Sequence, residues 1–494
     1  MRKFKTNLIA SVAYQSTAIA CGFVLPRLII QSFGSEVNGL IQSITQFLGI
    51  ITLLDMGLGQ VTRSALYGPL SHRDNVQISK IMASGRKFYR RIAVFLAGYV
   101  LILMGLYPLI VDQSFDWIFT ATMIGAIAVS SFSQYYFGII NEQLLHADQK
   151  SYLIYTVQIT TNLINLAACA VMIRLGCSIH AVKLATSLIF LCRPLFYAAY
   201  IHRKYTVAYK VSYSEEPIGQ KWNGIAQHVS AVVLDGTDNI VLTLFSTLSN
   251  VSVYSVYYMV IGGIQSFYQA AVVSIQSAAG MAWAQKDNCR IQRMFSSVEL
   301  VLHSVVVFLF TCVGLLLVPF VQVYTEGLTD ADYIQPAFAF ILALAYGIRC
   351  LRTPYNIWIL AAGHFKQTQR CHIIAAVLNL VVSVLMVSQC GLLGVAIGTL
   401  IAMCYQTLWM TVYTVRNLVK CSATHVIKQY LFDTVAVSVS LIATSCIRLE
   451  TVSYPGWIFM ASKVAIVVLL CITCTSFLFY GKKHLVSCAK VWLG

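Results

Sequence analysis

The chain has 494 residues, of which 58% are hydrophobic and only 11% charged, against about 25% charge in a soluble domain. So few charges cannot coat the water-facing surface of a chain this long, which excludes a soluble enzyme, a secreted disulfide scaffold and a disordered chain. The net charge of +16 does not imply a nucleic-acid partner, because the basic residues follow the loops of a membrane protein.

Fourteen apolar stretches are long enough, at roughly 20 residues each, to cross a bilayer. The first, 7–31, follows Arg2, Lys3 and Lys5 and carries Ala18-Ile19-Ala20 before Cys21. Its apolar run continues to Ile30, so it reads as an uncleaved span rather than a signal peptide. The second, 39–63, contains Asp55 and ends at Arg63, which reads mainly as a snorkelling headgroup anchor. The connection 64–90 reads partly as an amphipathic interfacial helix, with Ile78, Ile81, Met82, Phe88 and Tyr89 set among basic positions. Spans 91–111, 118–140, 152–175 and 182–201 follow, then a polar connection, 202–222. Beyond it lie 223–248, 251–280, 298–320, 337–361, 371–389, 392–413, 431–449 and 458–480. The predicted fold class is therefore an all-α polytopic membrane protein.

Basic residues concentrate in alternate loops, for example Arg86, Lys87, Arg90 and Arg91, or Lys482, Lys483 and Lys490. The opposite ends hold only Arg174, Lys183, Arg448 and Lys463. This bias predicts both termini on the cytoplasmic side, with membrane lipids as secondary partners of the excess charge. The fifteen cysteines are scattered mostly through apolar spans, and the Cys471/Cys474 pair has no second ligand pair. No H-E-x-x-H or paired-histidine spacing occurs. No metal is expected.

An internal likeness appears at an offset of 214 residues. Ser32 to Asn38 and Ser246 to Ser252 are both short outer turns, with Ser32/Ser246, Ser35/Ser249 and Val37/Val251 identical. Six spans separate them, the spacing of two six-helix lobes of like topology.

Three stretches carry a resemblance to a known family. Pro26-Arg27-Leu28-Ile29-Ile30-Gln31-Ser32-Phe33-Gly34, Leu53-Leu54-Asp55-Met56-Gly57-Leu58-Gly59 and Asp235-Gly236-Thr237-Asp238-Asn239 resemble the Wzx-type polysaccharide flippases. These belong to the multidrug/oligosaccharidyl-lipid/polysaccharide exporter superfamily, which also holds the lipid II flippases and the multidrug and toxin extrusion transporters. The resemblance implies two lobes, 1–201 and 202–413, around a central cavity, with 414–494 adding helices 13 and 14 and a tail. It also implies a bacterial cytoplasmic (inner) membrane location, in lipopolysaccharide O-antigen or capsule synthesis.

Ionisable groups inside spans cost about 2.5–3.5 kcal/mol each at the bilayer centre, so each needs a wet cavity, a partner or a function. Arg27, Asp55, Arg63, Arg193, Asp235, Asp238, Arg349 and Arg352 are the candidates among the ionisable residues within the spans, a positive surplus that suits an anionic headgroup. Arg27, Arg193, Arg349 and Arg352 are the candidate binders of that headgroup, with ion pairing to Asp235 or Asp238 as the alternative for the last three. Asp55, Asp235, Asp238 and His228 are candidates for ion coupling or gating, with local capping an open alternative for Asp55 and polar packing for His228. Pro26, Pro194 and Pro354 each lie within two residues of an intramembrane arginine and are candidate hinges.

The function expected is translocation of polyprenyl-pyrophosphate-linked oligosaccharide units by alternating access. It involves no covalent chemistry and no cofactor, with H+ or Na+ coupling and a glycan polymerase as a further partner. Two alternatives stand beside it. One is a multidrug and toxin antiporter, which would want a carboxylate-rich cavity. The other is a membrane glycan polymerase or ligase, for which the longest outer loop, 321–336, lacks Arg, Lys and His.

Overall fold

The computed structural model describes residues 2–55, 58–111, 115–209, 211, 216–218, 225–285 and 288–493. Among them every regular element is helical. The helices are α1 (Arg2–Phe33), α2 (Ser35–Gly49), α3 (Leu58–His72), α4 (Asn75–Ile110), α5 (Trp117–Ser133), α6 (Ile139–Ala147), α7 (Ser151–Arg174) and α8 (Ile179–Lys204). They continue as α9 (Ile225–Phe245), α10 (Leu248–Ala284), α11 (Asn288–Tyr324), α12 (Pro336–Leu351), α13 (Thr353–Ala361), α14 (Phe365–Cys390), α15 (Leu392–Tyr413), α16 (Ala423–Thr444) and α17 (Tyr454–Leu493). Twelve stretches among the described residues are long and apolar enough to cross a bilayer. The predicted spans 223–248 and 251–280 correspond to α9 and α10. The protein is an all-α polytopic membrane protein.

Four sequence expectations need correction. The second span is not continuous: α2 ends at Gly49, a 3-10 turn runs from Ile50 to Asp55, and α3 starts at Leu58. The interfacial helix does not exist as a separate element. Residues 75–110 form one helix, and Ile78, Ile81, Met82 and Tyr89 lie in a protein core, at most 3% exposed. At about 1.5 Å per residue, a 36-residue helix outruns the hydrocarbon layer; neighbouring helices cover its first turns, while Val94, Leu101 and Leu109 further along remain exposed. The fourth span runs past residue 140 through a π-turn, Gln134–Gly138, into α6, and so carries Glu142 and Gln143 with it. Finally, the span 337–361 breaks at Arg352, with Pro354 in the first turn of α13, where a missing N–H costs nothing.

The chain divides into two compact units. Unit 1 comprises 1–232 with 247–252, and unit 2 comprises 233–246 with 253–494. In unit 1 a core of Leu40, Ile44, Ile81, Met82, Leu96, Ile124, Leu144 and Val182 is sealed from its surroundings. Hydrophobicity drives little helix association in lipid, so packing and polar cross-links decide the pairing. Tyr107 donates to Ser43 Oγ at 2.6 Å, Ser187 to the Ala126 carbonyl at 2.6 Å, and Asn38 Nδ2 to Ser252 Oγ at 2.8 Å. Asn38 and Ser252 stand 214 positions apart, the offset of the sequence likeness. Beside them Gly39 meets the chain at Leu248 so closely that a Cβ would fall 1.8 Å from the Leu248 carbonyl oxygen.

In unit 2, α16 and α17 pack on α11 through Leu300, Val307, Phe432, Ala436, Val464 and Val468. The pair α14 and α15 runs together along its length. Gly394 and Gly398 permit this approach: a Cβ on Gly398 would lie 2.2 Å from Ser383 Oγ and 2.8 Å from the Ser383 nitrogen. The Gly394-Val395-Ala396-Ile397-Gly398 stretch is the small-xxx-small pattern of close membrane helix pairs.

Candidate functional site

Unit 1 gathers a polar cluster where α1, α3, α6, α7 and α8 meet. Arg193 on α8 donates through Nε to Thr161 Oγ1 at 2.7 Å and through Nη2 to Asn162 Oδ1 at 2.6 Å, and its guanidinium stacks 4.0 Å from the Phe190 ring. Arg63 on α3 donates twice to Gln143 Oε1, at 3.2 and 3.0 Å. Both arginines are half-buried. Among the described residues neither makes an ion pair within 4 Å; their direct partners are neutral. Glu142 on α6 lies within electrostatic range of both guanidiniums, Arg193 acting on it more strongly, and Tyr14 and Tyr197 border Arg193. His146, one turn beyond, donates or accepts at Ser151 Oγ at 2.8 Å and feels the Arg63 charge. Two guanidiniums flanking one carboxylate leave a positive site whose donors are only partly used. Such a site suits a phosphate or diphosphate group.

Arg63 is therefore not a headgroup anchor alone; it belongs to this cluster. Arg27 is half-buried on α1, and Pro26 sits within that helix without interrupting it. Asp55 closes the 3-10 turn and lies within electrostatic range of the Tyr89 and Tyr135 hydroxyls. Pro194 is buried within α8 and packs on Gly138, at the end of the π-turn, where an added Cβ would come within 3.1 Å of the Pro194 Cβ.

Unit 2 builds the opposite site. Asp238 on α9, 2% exposed, accepts from Thr399 Oγ1 at 2.9 and 2.8 Å, from Tyr254 Oη at 2.8 Å and from Asn379 Nδ2 at 3.4 Å. Asn379 Nδ2 also donates to Thr399 Oγ1 at 2.9 Å, while its own carbonyl oxygen is buried with no donor among the described residues. Ser383 Oγ, one turn along α14, donates to the Val395 carbonyl at 3.4 Å. The two glycines of α15 bring these α14 and α15 oxygens within reach of Asp238. A buried carboxylate with these hydroxyl and amide oxygens beside it offers hard ligands to a proton or a small cation. Thr399, Tyr254 and Asn379 thus bring hydroxyl and amide groups to Asp238. The helical positions of His228 and Asp235 on α9 are described, but their side chains lie outside the described residues.

Arg349 lies 5.8 Å from the Tyr346 ring, and Arg352 stands at the α12–α13 break within range of His372, which accepts from Gln406 Nε2 at 2.8 Å. Unit 2 also holds a network that the sequence reading passes over. Glu299, 0% exposed, accepts from Tyr355 Oη at 2.6 Å and from His425 Nε2 at 2.7 Å. His303 Nδ1 donates to Asp433 Oδ2 at 2.6 Å, and Gln429 Nε2 to Asp433 Oδ1 at 3.0 Å. Glu142, Glu299 and Asp433 overturn the positive surplus expected for the whole interior. Among the described side chains the surplus is confined to unit 1. Glu299 and Asp433 lie inside predicted spans, whereas Glu142 lies two residues beyond the predicted end of its span, on the helical continuation Ile139–Ala147.

No protein-family model matches the chain, and no curated protein matches it by sequence. Solved structures do, and they are transporters of the MOP superfamily. A multidrug resistance MATE family transporter in an inward-facing conformation is 14% identical, with a TM-score of 0.63 over 82% of this chain and 96% of its own. A MOP superfamily transporter from Pyrococcus furiosus, described as having a binding pocket of reversed polarity, is 14% identical, with a TM-score of 0.56 over 85% and 97%. The lipid II flippase MurJ, in an inward closed conformation, is 13% identical, with a TM-score of 0.69 over 96% of this chain and 99% of its own. The chain has the MATE/MurJ fold. At these identities the likeness speaks for architecture, and function must be argued from the sites.

Proposed function

We propose that this protein is a flippase that carries polyprenyl-pyrophosphate-linked oligosaccharide units across a bacterial cytoplasmic membrane. The observation that carries the reading is the pair Arg63 and Arg193, intramembrane guanidiniums bonded to neutral side chains and sharing one nearby carboxylate. A diphosphate would use the remaining N–H groups and the uncompensated charge, while the sugars and polyprenyl chain would follow by alternating access. Extension of the MurJ likeness over nearly the whole chain supports a lipid-linked substrate. The cargo we favour is an O-antigen or capsule repeat unit, handed on to a glycan polymerase.

Coupling to H+ or Na+ is assigned to Asp238, because its cage offers oxygen ligands and one unsatisfied carbonyl. Bound there, a cation would neutralise the carboxylate. Thr399, Tyr254 and Asn379 orient that carboxylate and exclude water. Arg27 is proposed as a further headgroup contact in unit 1, and Arg349 and Arg352 as anion contacts within unit 2.

The test uses purified protein in liposomes holding a polyprenyl pyrophosphate with a fluorescent sugar, read by quenching of the outer-leaflet label. Wild type should equalise the leaflets, Arg193→Ala should slow this at least tenfold, and Arg193→Lys should recover part of the rate. Wild-type rates in both Arg193→Ala and Arg63→Ala would remove the diphosphate role. A second reading, export of organic cations, is favoured by the carboxylates of unit 2 and by the MATE likeness. It predicts cation uptake that is lost in Asp238→Asn and indifferent to Arg193.

A further inference from the structure

One face of α4 has no part in either site. Arg86, Lys87, Arg90 and Arg91 occupy little more than one turn there, as two i,i+4 pairs of like charge, which repel. They line a cavity of about 750 Å3 together with Tyr209, Val94 and Phe95. The Arg86 guanidinium lies 4.3 Å over the Tyr209 ring and that of Arg90 lies 4.5 Å over Tyr136, so both planes are held in place. Arg90 Nε is buried and makes no hydrogen bond among the described residues. The charge acting on Arg86 is that of Arg90, with tyrosines as its other electrostatic neighbours. The carboxylate at Glu216, on the adjoining connection, is engaged by Ser84 Oγ and by the Ile218 N–H at 3.4 Å.

A second cavity of about 480 Å3 continues along the same helix. It shares Val94 and Phe95 with the first and is otherwise lined by such residues as Leu53, Leu54, Gly98 and Ile102. Its polar member, Tyr99, has its hydroxyl committed to the Phe47 carbonyl at 3.0 Å. Val94 and Phe95 are each 66% exposed. Four cations without a paired carboxylate among the described residues thus open directly onto an apolar groove. From Arg86 to Ile102 the helix rises about 24 Å, enough for a charged head and much of one hydrocarbon chain.

We propose that this face of α4 binds an anionic phospholipid, its phosphate held by Arg86, Lys87, Arg90 and Arg91 and its chain lying in the groove beyond Phe95. The occupant is an amphiphile and not a free anion, because the basic cavity and the apolar groove are continuous. The lipid would supply the counter-charge that no described carboxylate gives the four cations. The site lies at the α4 end that the charge bias assigns to the cytoplasmic leaflet, where anionic headgroups add about 1 kcal/mol per basic residue.

Full-length protein in nanodiscs of phosphatidylcholine, titrated with phosphatidylglycerol, provides the test, with retained lipid read by native mass spectrometry. Wild type should keep phosphatidylglycerol in preference to phosphatidylcholine. The double change Arg86→Gln and Arg90→Gln should weaken that retention at least tenfold, and Val94→Asp should weaken it without touching a cation. Should the double variant fail to fold, Lys87→Gln with Arg91→Gln must still lower retention several-fold. Equal retention of the two lipids, or unchanged retention in the variants, would overturn the proposal. So would inorganic phosphate displacing phosphatidylglycerol as well as a second phospholipid does.

Discussion

The two units solve one problem, a charge held in an apolar surrounding, with opposite signs. In unit 1 Arg63 and Arg193 are the charged members, and the groups touching them are the neutral Gln143, Thr161 and Asn162. In unit 2 the charged member is Asp238, and the groups bonded to it include the neutral Thr399, Tyr254 and Asn379. In unit 1 the neutral partners lower the cost of burial without cancelling the charge, so that site keeps its attraction for an outside ion. The Glu299–His425 and His303–Asp433 pairs of unit 2 differ in kind. Their charges are met from within the unit, which marks them as structural ties between α11 and α16. A buried charge alone therefore does not identify a binding site; the sign and neutrality of its partners do.

The contrast can be broken most severely at Asp238. Asp238→Asn keeps the size and most hydrogen bonds of the cage but removes its charge. Gradient-driven transport should disappear while exchange without a gradient survives, as measured in liposomes with imposed Na+ and pH gradients. Loss of both activities alike would mean that Asp238 serves the cage only as structure. The next largest effect belongs to Asp433→Asn, which leaves His303 facing a neutral amide. Removing one partner of a buried pair costs about 3–5 kcal/mol, so thermal unfolding in detergent should fall well below wild type. A double change of His303→Leu with Asp433→Leu should recover most of that loss, whereas no second change should restore gradient-driven transport to Asp238→Asn.

Smaller effects sharpen the comparison. Gly398→Ala places a Cβ against Ser383 and, at about 1–3 kcal/mol for overpacking, should lower thermal stability and weaken ion coupling together. Gly263→Ala, where an added Cβ meets nothing within 4 Å, should do neither. Asn38→Ala removes one hydrogen bond of unit 1, worth about 1 kcal/mol; a small drop in melting temperature with normal coupling is the expected result.

Much of this was readable from residue types and their order. Span positions followed from long apolar runs, and Arg193 and Asp238 stood out because a charge in such a run is rare. Other features were readable but easily overlooked. Glu299 and His303 are four apart, as are Gln429 and Asp433, so each pair shares a helix face. The Gly394/Gly398 spacing announces a close helix pair. Glu142 was lost to a boundary, since hydropathy falls at Asn141-Glu142-Gln143 while the helix continues to Ala147.

Composition and hydropathy alone determined that this chain is a bundle of membrane helices, because a bilayer accepts few other backbones and forces apolar residues into long runs. They also determined which residues are costly enough to require an explanation. Only the tertiary structure decided how those residues are grouped. Arg63 meets Gln143 across 80 positions, and Asp238 meets Thr399 across 161. Such meetings depend on which helix faces pack together, and short-range periodicity carries no record of that choice.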